Sequence, residues 1–271
     1  MKNNKNKILV LIDVKKNIES TLKSTIALAN IIKGEITLFY VKKPTEVVNV
    51  DNQLSAIRGI NEDYTLVESE IKNAIESISK KHNITINYNF SYGNVKNEIT
   101  RHIEEIKPDT IVLGKRKAKA VNFIGDKITN HIINTFKGLV MIAPKNNVLE
   151  TSKELTIGVL NANNENKNVL YPSILQEHTT QKIKSFTFIK NSNGSIEPEP
   201  LVNSDGTPLV LNQNENAIKN LSNYIVQNNI NLFCVNREQT SKKEKTVLAK
   251  KDIKNLIDKI EVPLLFADSR N

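Results

Sequence analysis

The chain has 271 residues, 39% of them apolar and 25% charged, with 38 Lys and Arg against 29 Asp and Glu for a formal net charge of +9. This balance excludes an intrinsically disordered chain and leaves room for one or two domains with sizeable cores. No apolar run approaches the ~20 residues of a membrane span, and Met1-Lys2-Asn3-Asn4-Lys5 lacks the apolar centre of a signal peptide, so a cytoplasmic location with no membrane partner is expected.

The first half alternates strand and helix patterns. Ile8-Leu9-Val10-Leu11-Ile12 is a continuous apolar run, as expected of a strand covered on both faces, and Asp13 follows at its carboxyl end. Leu22, Ile26, Ala29 and Ile32 recur at helical spacing, with Gly34 as the expected stop. Residues 36–41 read as a second strand ending at Val41, and Val67, Ile71, Ala74, Ile75 and Ile78 mark a second helix. Residues 84–90 alternate like a strand that Gly93 breaks, and Val95, Ile99, Ile103 and Ile106 form the next helical stripe before Pro108. A buried strand over 110–113 then leads to Gly114, the basic loop Lys115-Arg116-Lys117-Ala118-Lys119, Gly125, a helix ending near Gly138, and the strand Leu139-Val140-Met141-Ile142.

Five strands separated by helices predict a parallel, doubly wound sheet, in which ligands bind beyond the carboxyl ends of the strands. Asp13, Val41 and Gly114 all stand at such ends. Strand, glycine loop and helix start also form the arrangement that offers backbone N–H groups to an anion.

After a polar linker the second half repeats the plan in shortened form. Strands are expected over 156–160, 185–189, 232–235 and 262–266. A weak helix is expected near 169–180, with stronger ones on Ala217, Ile218, Leu221 and Ile225 and on Ile253, Leu256, Ile257 and Ile260. Asn193-Gly194 and Asp205-Gly206 are turn signals that predict a hairpin between residues 189 and 208. The expected domains are thus 1–146 and 154–271.

With both halves laid out, the chain resembles a tandem universal stress protein. The resemblance is strong over 7–144 and weak over 154–268, where the second domain is degenerate. Residues 8–13 look like that family's first strand with its nucleotide-facing acid. Residues 37–42 are similar to its second strand, where a backbone group near Val41 would meet an adenine. The resemblance implies an α/β fold of two tandem doubly wound five-stranded parallel-sheet domains, like the adenine nucleotide alpha hydrolases, with the second shortened. It also implies ATP as the ligand of the glycine loop, and pairing of final strands, between copies or as an intrachain pseudo-dimer. Val140, Ile142, Leu264 and Phe266 would supply those edges.

The family motif runs Gly, two residues, Gly, nine residues, Gly, then Ser or Thr. Here Gly114 and Gly125 remain, but Lys117 replaces the middle glycine, the interval is two residues shorter, and Asp126 replaces the hydroxyl residue. A carboxylate beside a phosphate costs on the order of 1 kcal/mol in water and several at lower dielectric, whereas Asp is among the best N-cap residues. Lys115, Lys117 and their neighbours argue the other way, as point charges able to neutralise a triphosphate. The expected cofactor-binding set is Asp13, Val41, Gly114, Lys115, Lys117, Gly125 and Asp126, with nucleotide binding weakened or lost. An intact ATP-binding sensor is the alternative. In the second half, Asn236-Arg237-Glu238-Gln239-Thr240 stands where a glycine loop would be.

No catalytic or metal site is expected. Cys234 lies in an apolar run and reads as an inert core thiol, and His82, His102, His131 and His178 show no ligand spacing. Related nucleotidyl-transfer enzymes carry a His-x-Gly-His or Ser-Gly-Gly-x-Asp-Ser signature after the first strand, where this chain has Asp13-Val14-Lys15-Lys16. The net positive charge makes a basic nucleic-acid binder the third reading. It is weakened by lysines scattered among Asn and Glu, with no interleaved aromatic residues to stack on bases.

Overall fold

In a computed structural model of the chain, the described residues are 5–13, 18–43, 53–115, 123–160, 175, 177–189, 209–212, 216–237 and 250–268. The chain divides into two compact units, Met1–Gly114 and Lys115–Asn271.

The first unit contains β1 (Asn6–Leu11), α1 (Ile18–Ile32), β2 (Gly34–Lys42), α2 (Gln53–His82), β3 (Ile86–Tyr92), α3 (Val95–Ile106) and β4 (Thr110–Gly114). Its strands lie in the order β3-β2-β1-β4, all parallel. The central strands explain their own composition: Ile8, Leu9, Val10, Ile111 and Val112 are essentially inaccessible, as expected of strands covered on both faces. The edge strand β3 instead alternates, with Ile86 buried and Asn87 and Asn89 exposed. Helix α1 packs against β2, β4 and α2, and buries Leu22, Ile26, Leu28 and Ala29 together with the hydroxyl residues Thr21, Ser24 and Thr25.

The second unit contains α4 (Phe123–Thr135), β5 (Leu139–Ala143), β6 (Ile157–Leu160), β7 (Lys184–Ile189), β8 (Leu209–Asn212), α5 (Ala217–Gln227), β9 (Leu232–Arg237), α6 (Lys250–Lys259) and β10 (Leu264–Asp268). Its strand order is β5-β10-β9-β6-β7-β8. The run β8-β7-β6-β9 repeats the parallel order β3-β2-β1-β4 of the first unit, which is the tandem repeat seen at the level of topology. Strand β10 is the exception, running antiparallel to β5 with Leu264 opposite Ile142, Leu265 opposite Met141 and Phe266 opposite Val140. All six of these side chains are buried, so the pairing anticipated for the final strands occurs within the chain.

Strand β8 has no counterpart in the sequence reading, because Leu209-Val210-Leu211 is too short an apolar run to stand out beside the turn signals before it. The hairpin expected between residues 189 and 208 lies outside the described residues, as does most of the helix expected near 169–180, of which Leu175 is helical and buried.

The helices stop differently from the sequence expectation. Lys33, Asn83, Lys107 and Asn229, each just past a helix, take positive φ values of 52°, 49°, 47° and 52°. Lys33, not Gly34, therefore makes the left-handed turn after α1. Gly34 is needed for a separate reason: a Cβ there would lie 2.5 Å from Ile8 Cδ1 and 2.9 Å from Ile8 Cγ1 in the filled core beside β1. Gly34→Ala is expected to lower stability by about 1–3 kcal/mol in a urea titration. Adding Ile8→Val removes the nearest methyl, so the double variant should lose less than the sum of the two single changes. Strict additivity would show that the two residues do not compete for space.

Candidate functional site

The carboxyl ends of the first unit's central strands are set by register. Leu11 pairs with Phe39 on one side and with Leu113 on the other. The β1–β2 ladder continues one step further through the Ile12 N–H, which donates to the Phe39 carbonyl at 3.1 Å. Asp13 follows the carboxyl end of β1 and Val41 lies at that of β2, both half-buried. On β2, Val41 shares the face of Phe39, and α3 packs there through His102, whose ring stacks on Phe39 at 4.0 Å and 18°. Helix α3 is fixed at its start by Asn94, whose Oδ1 accepts from the N–H groups of Lys96 and Asn97.

Gly114 belongs to the opposite face. It follows Leu113, and a Cβ on it would lie 2.6 Å from Oγ1 of the buried Thr21 on α1. Close helix-to-strand packing thus accounts for a glycine here, independently of any ligand.

Lys115 is held by the second unit. Its N–H donates to the Ala143 carbonyl at the end of β5. Its ammonium donates to the carbonyls of Asp258 (3.2 Å) and Ile260 (2.9 Å) and pairs with the Glu261 carboxylate at 2.8 Å. Three partners match the three N–H bonds of a lysine, and they sit at the end of α6, where the helix dipole is negative. The side chain is only 12% exposed. Lys117 lies outside the described residues. Gly125 and Asp126 occupy the first turn of α4, which begins at Phe123. Asp126 is therefore inside that turn, not its N-cap.

Arg237, at the end of β9, mirrors Lys115. Its Nη1 donates to the Ile133 and Phe136 carbonyls at 2.6 and 2.9 Å, and its Nη2 to the Gly138 carbonyl at 2.6 Å. It caps α4, a helix with no basic residue in its last turn. The sequence reading saw only that no glycine loop stood here. That uncapped last turn was the signal that a cation had to arrive from elsewhere. Among the described residues no group of three or more His, Cys, Asp or Glu could hold a metal ion. Burial pushes the Cys234 thiol well up from its usual range, which leaves it unreactive.

The sequence model of the Universal stress protein family matches residues 5–144. Among solved structures, a universal stress protein from Archaeoglobus fulgidus DSM 4304 superposes with a TM-score of 0.63 at 16% identity, covering 98% of this chain and 99% of that one. A functionally unknown protein from Pseudomonas aeruginosa PAO1 gives 0.60 at 9% identity, with 98% and 93% covered. A putative universal stress protein from Pseudomonas aeruginosa UCBPP-PA14 gives 0.57 at 10% identity, with 98% and 94% covered. No curated protein sequence matches significantly.

The two cationic caps make separable predictions. Lys115→Met is expected to destabilise the protein by about 1–3 kcal/mol and to speed amide exchange in the last turn of α6 but not in α4. Arg237→Met should do the reverse. Equal loosening of both helices by either change would mean that the contacts do not act as local caps.

Proposed function

Because the chain belongs to the universal stress protein family, we propose that it is a binding protein of the stress response, without turnover of its own, whose first repeat has weakened affinity for adenine nucleotides. The observation that carries this reading is the position of Lys115: the first cation of the basic loop is engaged at the end of α6 and is not available to a phosphate. Lys117 in place of the motif's middle glycine, Asp126 in place of its hydroxyl residue, and the shorter interval add to it. The Gly114–Thr21 approach gives the surviving glycine a packing reason to persist once a phosphate no longer requires it.

The second reading, an ATP-binding sensor, is favoured by one observation. Asp13 and Val41 stand at the carboxyl ends of adjacent parallel strands, which is where such sheets take ligands. A backbone group near Val41 would meet the adenine, and the strand-end acid would lie nearby.

The test is to purify the protein without added nucleotide, release any bound small molecule by denaturation, and titrate ATP, ADP and AMP by calorimetry. The proposal expects an empty protein and dissociation constants on the order of 1 mM, not 1 μM, a difference of about 4 kcal/mol. Co-purified ATP or micromolar binding would establish the sensor reading instead. Whatever affinity is found, Arg116→Ala with Lys117→Ala should weaken it about tenfold or more, since charge-assisted contacts to phosphate are lost. Lys115→Met should leave it unchanged. A large effect of Lys115→Met alone would show that this ammonium leaves α6 to meet the phosphate.

We also infer that the chain is its own pseudo-dimer in the sense that β5 and β10 occupy each other's edges. Sedimentation is expected to give a monomer of 30.5 kDa. A stable dimer would require another surface.

A further inference from the structure

His102 is the buried titratable group that nothing above uses. It is 7% exposed and stacked face to face on Phe39. Its Nδ1 lies 3.5 Å from the Glu105 carboxylate, while its Nε2 is buried with no hydrogen-bond partner among the described residues. A neutral imidazole facing a carboxylate through Nδ1 carries its hydrogen there and leaves Nε2 as a bare lone pair. The proton taken up on acidification then has one place to go: Nε2, in an apolar contact, with no acceptor to receive the new N–H. Burying an unpartnered charged donor is among the more costly events in a protein interior.

We propose that His102 makes the seat of α3 on β2 a proton-sensitive joint, closed while the imidazole is neutral and loosened when it is charged. Among the described residues, the charged groups that act on His102 belong to its own helix. Glu105 favours the charged form, and Arg101 opposes it. Glu98 is engaged by Ser91 at 2.6 Å and by Arg101 at 2.7 Å. The β2 face on which α3 packs presents Thr37, Phe39 and Val41, none of which titrates. Desolvation outweighs the help from Glu105, which is half exposed, and the imidazole is held below its usual range. The sign follows. A histidine whose folded pKa is depressed contributes full stability above the unfolded value of about 6.5 and loses it as pH falls from there toward the folded value. Release of α3 would uncover the face of β2 that carries Phe39 and Val41. The inference stands whether or not a nucleotide binds there.

The test is amide exchange on the full chain between about pH 7.5 and 5.5, each value corrected for the intrinsic rate, with α1 as the internal reference. Residues 95–106 are expected to lose protection relative to α1 on acidification. The loss should approach about tenfold for each unit by which the His102 pKa, measured by NMR, lies under its unfolded value. His102→Phe keeps the ring stack and should remove the pH dependence of α3. If that variant does not fold, Glu105→Gln serves instead: removing the exposed carboxylate should move the α3 transition to lower pH. A measured His102 pKa at or above about 6.5, an α3 protection that does not change with pH, an equal change in His102→Phe, or an unmoved transition in Glu105→Gln would each overturn the proposal.

Discussion

The antiparallel pairing of β5 with β10 is the constraint from which the arrangement of the second unit follows. In an all-parallel α/β sheet, helices end at the amino ends of the strands they feed. Reversing one strand against its neighbour brings the end of α6, which feeds β10, to the carboxyl end of β5. It likewise brings the end of α4, which feeds β5, to the carboxyl ends of β9 and β10, where Arg237 lies opposite Asp268. Helix ends carry unsatisfied carbonyls and a negative dipole, and a buried one needs donors. Lys115 and Arg237 supply them. Lys115, just after β4, and Arg237, the last residue of β9, are thereby fixed as structural cations.

The same need is met elsewhere by side chains from strands. Helices α1, α3, α4 and α5 have no basic residue in their last turns. The Asn6 amide donates to the Ile32 carbonyl at the end of α1, and the Lys7 ammonium to the Ile106 carbonyl at the end of α3. At the end of α5, Asn228 donates to the Tyr224 carbonyl and accepts from Lys184 at 2.7 Å. These contacts tie each helix to a strand far away in sequence.

These contacts change how a glycine-and-lysine loop is to be read. In isolation, Gly114 and Lys115 look like the start of a phosphate cradle. In the folded chain Gly114 makes room for Thr21, and Lys115 closes α6. Each contact removes the need to invoke a ligand. Asp13 and Val41 differ: they stand at the carboxyl ends of adjacent parallel strands by the course of the chain alone.

The sequence by itself determined the alternation of strands and helices over the first half, and the strands β6, β7, β9 and β10 but not β8, because doubly covered strands must be continuously apolar and their crossover helices must carry an apolar stripe. It placed Asp13, Val41 and Gly114 at strand ends for the same reason, and it named Val140, Ile142, Leu264 and Phe266 as pairing positions. Only the tertiary structure decided what Gly34, Gly114, Lys115 and Arg237 are for. Their partners are Ile8, Thr21, the end of α6 and the end of α4, and the last two are reached across 143 to 146 and 99 to 104 residues. No local pattern encodes such a distance. A carbonyl left open at a helix end shows that a donor is required, but which side chain arrives is fixed by the direction in which two strands pair.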